Sequence, residues 1–334
     1  MKAAWYERRG PAREVLTVGE RPKPKPAAGE VLVRVAASGI NPSDVKTRAG
    51  NMGPMPAPLV IPHCDGAGTI EAVGDGVPAD RVGERVWMYN VNRTPDGFAQ
   101  GTIGTAAEYV AVPAALAVPL PDKASFAEGA CLGVPAMTAH RACFAGGPLR
   151  GKTVLVTGGA GGVGFYGVQM AKLDGAAKVI ATVSSADKAA LAREGGADVT
   201  IDYKREDVVA KIREATGGAG VDHVVEVDFG ANLPVTLEVL KPHGVIAPYA
   251  SAAVTQPAFD YPRFMRKAAI LYGVYVYVMS DASKNAAAHD INRWIAAGKL
   301  RHAVAARFPL AHIAEAHEAV ESGRLLGNAV VEIG

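Results

Sequence analysis

Thr153-Val-Leu-Val-Thr157 runs directly into Gly158-Gly159-Ala160-Gly161-Gly162-Val163-Gly164. An apolar, β-rich run feeds a glycine-rich turn, and the turn opens an amphipathic helix from Phe165 to Leu173. Gly159, Gly161 and Gly164 have the G-x-G-x-x-G spacing of a dinucleotide site. The first glycine permits a tight turn, the second lets a pyrophosphate approach the backbone, and the third lets helix and strand pack closely. The helix N-terminus then offers free N–H groups and a positive dipole end to an anion. A second apolar run, Lys178 to Val183, follows, so the glycines sit in a strand–turn–helix–strand frame rather than alone.

Outward from the turn, apolar runs alternate with helical stretches: Thr153–Thr157, Lys178–Val183, Asp198–Asp202, Val221–Val227, Val245–Tyr249 and Ala269–Val278. Six strands with helical crossovers predict an α/β, doubly wound parallel sheet in the order 3-2-1-4-5-6, and right-handed crossovers leave few other topologies. The first ~125 residues have a different texture. Val31-Leu-Val-Arg-Val-Ala36, Gly68 to Gly74 and Glu84 to Met88 read as strands densely punctuated by Gly and Pro. Arg21-Pro-Lys-Pro-Lys-Pro26 reads as a stiff surface connector. The tail carries two helical patterns and a short strand at Asn328–Ile333, which predicts a return to the first domain. The Rossmann unit would then be an insertion in a discontinuous domain.

Composition sets the outer bounds. The chain has 334 residues, 49% hydrophobic and 20% charged, with a net charge of +2, which predicts two domains and ample core. No basic run points to nucleic acid or to a membrane surface, and no apolar run reaches transmembrane length. The start, Met1-Lys-Ala-Ala-Trp-Tyr-Glu7, does not read as a signal peptide. Three scattered cysteines, Cys64, Cys131 and Cys143, argue against a disulfide framework and fit a reducing cytoplasm. Cys131 and Cys143 lie in apolar helical stretches and read as core.

In an open α/β sheet the ligand lies outside the carboxyl ends of the strands. This selects Ala160, Gly161, Gly162 and Val163 in the turn, Ser184 and Ser185 after the second strand, and Tyr203 after the third. It also selects Asn232 after the fourth, Tyr249 to Ser251 after the fifth, and Val274, Tyr275 and Val276 in the sixth. An NAD site usually places an acid at the end of the second strand to hold the ribose 2′-OH. Val183 stands there instead, followed by two hydroxyls and by Lys188 one helical turn on. An acid would repel a 2′-phosphate, whereas hydroxyls and an ammonium bind one, so the expected cofactor is NADPH. Ser184 and Ser185 also read as caps of the helix Ala186–Glu194, and Asp187 is a counter-signal.

The chain resembles the medium-chain dehydrogenase/reductase superfamily over essentially its whole length, and within it the zinc-free quinone oxidoreductases of the zeta-crystallin type. The matching stretches are Ser38-Gly-Ile-Asn-Pro-Ser-Asp44, Asp65 to Gly74, Gly83-Glu-Arg-Val86, Ala107-Glu-Tyr-Val110, Leu132 to Ala139, the glycine turn, and Pro309-Leu310 with Glu315-Ala-His-Glu318. The resemblance implies a GroES-like, β-rich catalytic domain at 1–125, completed by about 279–334, around a Rossmann NADPH-binding domain at 126–278. It also implies an active site in the cleft between them. It implies a homodimer, or a tetramer, built through the last strand of the cofactor sheet. It places Tyr203 near the adenosine phosphate, Tyr249 beside the cofactor, and Asn328 as a weaker contact.

Zinc-dependent members place Cys, His and Cys around a catalytic metal. Asn41, Cys64 and Val134 stand at those positions here, and one possible ligand of three does not hold a zinc. His63 beside Cys64 would point to the opposite face of a strand. Without a Lewis acid an alkoxide is not stabilised, so the chemistry implied is hydride transfer to a quinone or an α,β-unsaturated carbonyl, with a proton from solvent or a polar side chain. By the same resemblance Asn41 and Asp44 face the nicotinamide and Thr138 opens the helix beneath it. Asp44 also reads as a helix cap, and Asn41-Pro42 as a turn. Where many relatives carry tyrosines in this loop, Lys46 and Met52 stand. That departure disfavours the alternative of an enoyl-thioester reductase, and low net charge disfavours a non-catalytic, nucleic-acid-binding role. Lys46 reads as solvated. The polar excursion Tyr89–Gly104 reads either as a shaper of acceptor choice or as a plain surface loop.

Overall fold

The computed structural model describes residues Met1–Gly334. Its strands are β1 (Lys2–Trp5), β2 (Thr17–Glu20), β3 (Glu30–Ile40), β4 (Asp65–Val73), β5 (Arg85–Met88), β6 (Tyr109–Pro113), β7 (Ala117–Pro119), β8 (Thr153–Val156), β9 (Lys178–Val183), β10 (Val199–Asp202), β11 (Val221–Glu226), β12 (Leu240–Pro248), β13 (Ile270–Leu271), β14 (Val304–Pro309) and β15 (Asn328–Glu332). The helices are α1 (Ala12–Val15), α2 (Pro42–Ala49), α3 (Phe126–Gly129), α4 (Met137–Phe144), α5 (Gly162–Leu173), α6 (Ala186–Glu194), α7 (Val208–Thr216), α8 (Phe229–Val239), α9 (Tyr261–Arg266), α10 (Asp281–Ala296) and α11 (Ile313–Glu321). The chain divides into two units. One comprises 1–135, 277–298 and 302–334; the other comprises 136–276 and 299–301.

In the first unit a seven-stranded sheet has the order β14-β15-β3-β4-β5-β7, with β6 also on β3. β3 is the centre. Its first half pairs with β6, its second half with β15, and β4 runs antiparallel along nearly all of it. Paired on both edges, β3 has its backbone hydrogen bonds satisfied, and Val31, Leu32, Val33, Val35 and Ile40 are all buried while Arg34 is exposed. The terminal strand β15 therefore does return to the first domain, as its position in the sequence predicts.

The second unit holds a six-stranded sheet in the order β10-β9-β8-β11-β12-β13, with every pair parallel. Numbered from β8, this is the expected 3-2-1-4-5-6. Leu155, Ile180, Ile201, Val224, Leu237 and Ile246 form its core. Local signals end the helices: Asp207 caps α7 through Ala210 N at 3.0 Å, and Gly217 stops it in the left-handed region.

The sixth strand is shorter than the apolar run Ala269–Val278 suggests. The regular ladder covers Ile270–Leu271; Tyr272 and Val274 still donate to Ile246 and Pro248 carbonyls, at 2.9 and 2.8 Å. β12 ends at Pro248, so no neighbour remains to pair with. Val276–Val278 then curl into a 3-10 turn. Val274 and Tyr275 thus follow the strand rather than lie in it, and Val276 opens the turn.

The glycine turn shows why its spacing matters. A Cβ on Gly164 would lie 2.1 Å from the Gly158 carbonyl oxygen, whereas one on Gly161 would meet nothing nearer than 3.4 Å. Gly164→Ala should therefore lower stability by about 1–3 kcal/mol through enforced backbone movement. Gly161→Ala should stay within about 1 kcal/mol of wild type. Urea unfolding of the two variants checks the contrast; equal losses would contradict the packing argument.

Candidate functional site

The second unit presents the turn as an open anion site. Gly161 is the N-cap of α5 and no side chain caps the helix, so its first N–H groups lack side-chain partners. Gly161 is exposed, Gly162 and Val163 are half-buried, and Ala160 is turned inward. Gly158, at φ +65°, donates its N–H to Thr182 Oγ1 at 3.1 Å, and Gly159 donates to the Thr182 carbonyl at 2.9 Å. These bonds fix the turn against the end of β9. An uncapped helix start with Gly161 exposed fits a dinucleotide pyrophosphate.

Beyond β9, Val183 is buried and Ser184 half-buried. Ser185 Oγ accepts the Lys188 N–H at 3.3 Å, so Ser185 does cap α6. Lys188 is half-buried, Asp187 is exposed, and Tyr203 stands 52% exposed after β10. Asn232 is engaged: its Nδ2 donates to Glu226 Oε1 at 2.7 Å. Glu226, fully buried, also accepts from Thr157 Oγ1 at 2.9 Å and from the Asp228 N–H at 2.7 Å. Burial pushes its carboxyl up and those bonds pull it back. Tyr249 is half-buried and its hydroxyl is likewise raised by burial. Ser251 Oγ accepts the Gly230 N–H and donates to the Val254 carbonyl, at 2.9 and 2.6 Å. Val274 and Val276 are buried, while Tyr275 is 39% exposed. Thr138 is buried in the first turn of α4. Asn328 begins β15 in the other unit, its N–H on the Ala303 carbonyl at 2.7 Å.

The first unit brings Asn41 and Asp44 together with residues the sequence did not nominate. Asn41 leaves the end of β3 and caps α2. Its backbone N–H donates to Asp44 Oδ2 at 2.8 Å and its Nδ2 to Asp65 Oδ2, also at 2.8 Å. Asp65 Oδ2 takes a second donor, the Val134 N–H, at 2.7 Å. One asparagine thus bridges two buried carboxyls. Burial raises both: Asp44 to about 6, opposed by the Asn41 N–H and by the charge of Arg93, and Asp65 to about 8, with Asp44 adding to the rise. Asp65 Oδ1 is buried with no hydrogen-bond partner. The Cys64 thiol is pushed well up by burial and then by Asp44.

Two of the three positions that carry metal ligands in zinc-dependent relatives, Asn41 and Val134, therefore serve Asp65 as hydrogen-bond donors. No three His, Cys, Asp or Glu side chains converge to hold an ion, and the donors present, an amide, a backbone N–H and a single thiol, do not fit a zinc. His63 precedes β4 instead of lying in it and has φ 80°. Its ring still points away from this cluster. Nδ1 pairs with Ser38 Oγ at 2.8 Å and Nε2 with His317 Nε2 at 2.9 Å. Lys46 is exposed and Met52 is 39% exposed.

A carboxyl whose folded value lies above its ordinary value of 3.8 binds its proton more tightly in the folded chain. The stability it contributes is complete below about pH 4 and is lost as pH rises through about 8. The buried imidazoles of His63 and His223, lowered to about 3 and about 4, titrate in the opposite sense, so the informative quantity is a difference between variants. Relative to Asp65→Asn, wild type should be most favoured at pH 4–5 and lose that margin by pH 8. Each kcal/mol of margin corresponds to roughly 2–4 °C in Tm. Thermal unfolding across that range checks it; a constant difference would place the proton elsewhere.

Comparison with known proteins agrees with this geometry. Residues 27–122 match the alcohol dehydrogenase GroES-like domain, and residues 162–291 the zinc-binding dehydrogenase domain. Quinone oxidoreductase of Rattus norvegicus is 31% identical over 306 residues, 90% of this chain and 89% of that one. The crystal structure of an NAD-dependent alcohol dehydrogenase superposes with a TM-score of 0.88 at 30% identity, covering 100% of both chains. Escherichia coli quinone oxidoreductase complexed with NADPH superposes at 0.85 with 27% identity, again over 100% of both. With its Rossmann sheet, its GroES-like sheet and near-complete coverage of these relatives, the chain belongs to the quinone oxidoreductase family of the medium-chain dehydrogenase/reductases.

Proposed function

We propose that this chain is an NADPH-dependent, zinc-independent oxidoreductase that reduces a quinone or an α,β-unsaturated carbonyl. The observation that carries the cofactor half is the uncapped start of α5 at Gly161, followed beyond β9 by Val183, Ser184 and Lys188 where an acid would select NAD. Bound NADPH would supply a hydride. Gly161, Gly162 and Val163 would hold the pyrophosphate through backbone N–H groups, and Ser184, Lys188 and Tyr203 the 2′-phosphate and adenosine. Ser185, spent on its helix, and Asn232, spent on Glu226, would act by shaping the turns that carry those contacts.

The donor set around Asn41, Cys64 and Val134 supports zinc independence. An acceptor that is already electrophilic needs no metal, and the buried acids Asp44 and Asp65 offer a proton store beside it. Enoyl-thioester reduction is the second reading. Lys46 and Met52, at positions where relatives carry tyrosines, leave that chemistry without its loop hydroxyl. The relatives named quinone oxidoreductase support the first reading.

NADPH oxidation with a panel of quinones and enones tests the proposal. Turnover is expected with kcat/KM for NADPH at least roughly 10-fold above NADH. Lys188→Ala should erase about 10- to 100-fold of NADPH efficiency, the worth of a charge-assisted hydrogen bond. Tight NADPH binding with no turnover of any acceptor would overturn it, as would a preference for NADH.

The same reading extends to assembly. Ile270 and Leu271 on the sheet edge are 50% and 40% exposed, beside Tyr261 at 59% and Met265 at 55%. An apolar edge strand left open is a pairing surface. Light scattering should give a particle of twice or four times the 34.5 kDa chain mass, and Leu271→Arg should reduce it. A monomeric wild type would remove this part of the proposal.

A further inference from the structure

Two stretches of the first unit flank the Asn41 cluster without belonging to it. One is the segment 50–60, which leads from α2 back toward β4. The other is the excursion Tyr89–Gly104, which is built in rather than loose. Arg93 and Gln100 form a β-bridge, and the Thr94 N–H donates to the Ala99 carbonyl at 3.1 Å, closing a short hairpin. Asn92 Nδ2 donates to the Ile61 and Ile103 carbonyls, both at 2.8 Å, and the Val91 N–H donates to the Cys64 carbonyl at 3.0 Å. The base of the excursion therefore lies along the residues that lead into β4. It also reaches the start of α2: the Arg93 guanidinium lies over the Tyr277 ring, 3.6 Å from its centroid, and the Tyr277 hydroxyl pairs with Ser43 Oγ at 2.7 Å.

The excursion is fastened a second time, to the far side of α2, through Arg9. Arg9 Nη2 donates to the Pro54 carbonyl and to Gln100 Oε1, both at 2.8 Å, and Nη1 donates to the Tyr6 hydroxyl at 3.0 Å. Gln100 Nε2 turns back onto the Tyr6 hydroxyl and onto Asn92 Oδ1, the latter at 3.1 Å. Tyr6 is buried and exchanges both backbone hydrogen bonds with Val60 at 3.0 Å, with Met55 packed against the pair. One guanidinium thus joins Tyr6, the segment 50–60 and the excursion. Its planar, rigid fork suits that work, because a shift of one partner disturbs the bonds to the other two. The joined segments hold out two large apolar side chains, Met52 at 39% and Phe98 at 71% exposure.

We propose that Arg9 is a positioning residue that latches the segment 50–60 to the excursion, so that the two form one preorganised wall for a large, apolar acceptor. It acts on acceptor choice through Pro54 and Gln100 and touches no reacting atom. A wall held in place rewards an acceptor large enough to lie against it, since the loops need not be ordered on binding. This inference rests on the proposed function, in which the loop from Asn41 to Met52 lies at the reacting centre.

The test compares wild type, Arg9→Met and Gln100→Ala. Hydrogen–deuterium exchange, read by mass spectrometry without turnover, should speed up about 10-fold in both segments of Arg9→Met. Gln100→Ala should also speed exchange at 51–58, because its amide is linked to Pro54 through Arg9. Exchange raised by Gln100→Ala in the excursion alone overturns the latch. In steady-state kinetics, Arg9→Met should raise KM for a two-ring quinone about 10-fold, leaving its kcat and the Kd for NADPH within about twofold of wild type. KM for a one-ring quinone should change far less. Equal changes for both quinones, or none, overturn the role in acceptor choice. If wild type turns over neither quinone, that role falls with the functional reading, while the exchange data still decide whether the two segments are coupled. Should Arg9→Met fail to fold, Gln100→Ala, at a half-buried position, carries both measurements.

Discussion

The antiparallel pairing of β15 with the second half of β3 is the constraint on which the first unit depends. Val330 faces Gly39 and Val331 faces Ser38, on the opposite edge from β4, where Ser38 faces Gly66 and Gly39 faces Asp65. The last residues of the chain thereby hold the strand that delivers Asn41. Because β4 begins at Asp65, the same ladder sets Asp65 beside the end of β3, within reach of the Asn41 side chain. Ser38 and His63 are fixed in the same stroke, with Thr105 Oγ1 bonding both Ser38 Oγ at 2.7 Å and the Asp65 carbonyl. A discontinuous domain is thus a positioning device. Without the returning strand, one edge of β3 would be open where the acids are held, and an open edge frays or finds another partner.

The parts of this architecture that were legible in the sequence are those set by local periodicity. The order of the parallel sheet followed from six apolar runs and their crossovers, and the return of the last strand from its isolation behind two helices. The glycine turn was legible because its constraints are steric and local. The sixth strand was misjudged in length because apolar character persists to Val278 while the neighbour that would pair with it ends at Pro248. Pairing depends on a partner more than twenty residues away, and no local signal carries it.

The candidate acid cluster was half legible. Asn41 and Asp44 were nominated from their loop, and Asp44 closes the cap of α2, as one of its two readings has it, while its carboxyl is buried. Asp65 was quoted only as part of a matching stretch, and its partnership with Asn41 spans 24 residues. Arg93 and Tyr277 are 184 positions apart and meet only because the chain re-enters the first unit after the Rossmann insertion. A signal did exist: a long polar excursion carrying a single arginine between strands of a small β domain, with no stated purpose. The asparagine after β11 shows the converse. Asn232 stands at the carboxyl end of a strand, where a ligand contact is expected, yet its amide is committed to buried Glu226. Position on a sheet selects candidates, but hydrogen-bond demand from a buried carboxylate decides how they are used.

The charge balance of the acid cluster gives the arrangement its chemical meaning. Two ionised carboxyls taken out of water would repel each other and each would carry a large desolvation cost. Burial raises both carboxyls, so a proton on the pair, with the N–H donors of Asn41 and Val134, offsets that cost here. A bound metal would leave different help available. A metal fixes its ligands as anions and acts by polarising an oxygen. Asp65, raised to about 8 by burial and by Asp44, stays neutral and able to donate close to neutral pH, where transfer in either direction is cheap. An acceptor that takes up a hydride becomes more basic at the oxygen conjugated to the reduced carbon. A nearby neutral acid answers that need, while a bound cation would stabilise the anion without supplying the proton. Under the zinc-independent reading, Asn41 and Val134 at the ligand positions would change the kind of help the site gives, from charge stabilisation to proton supply.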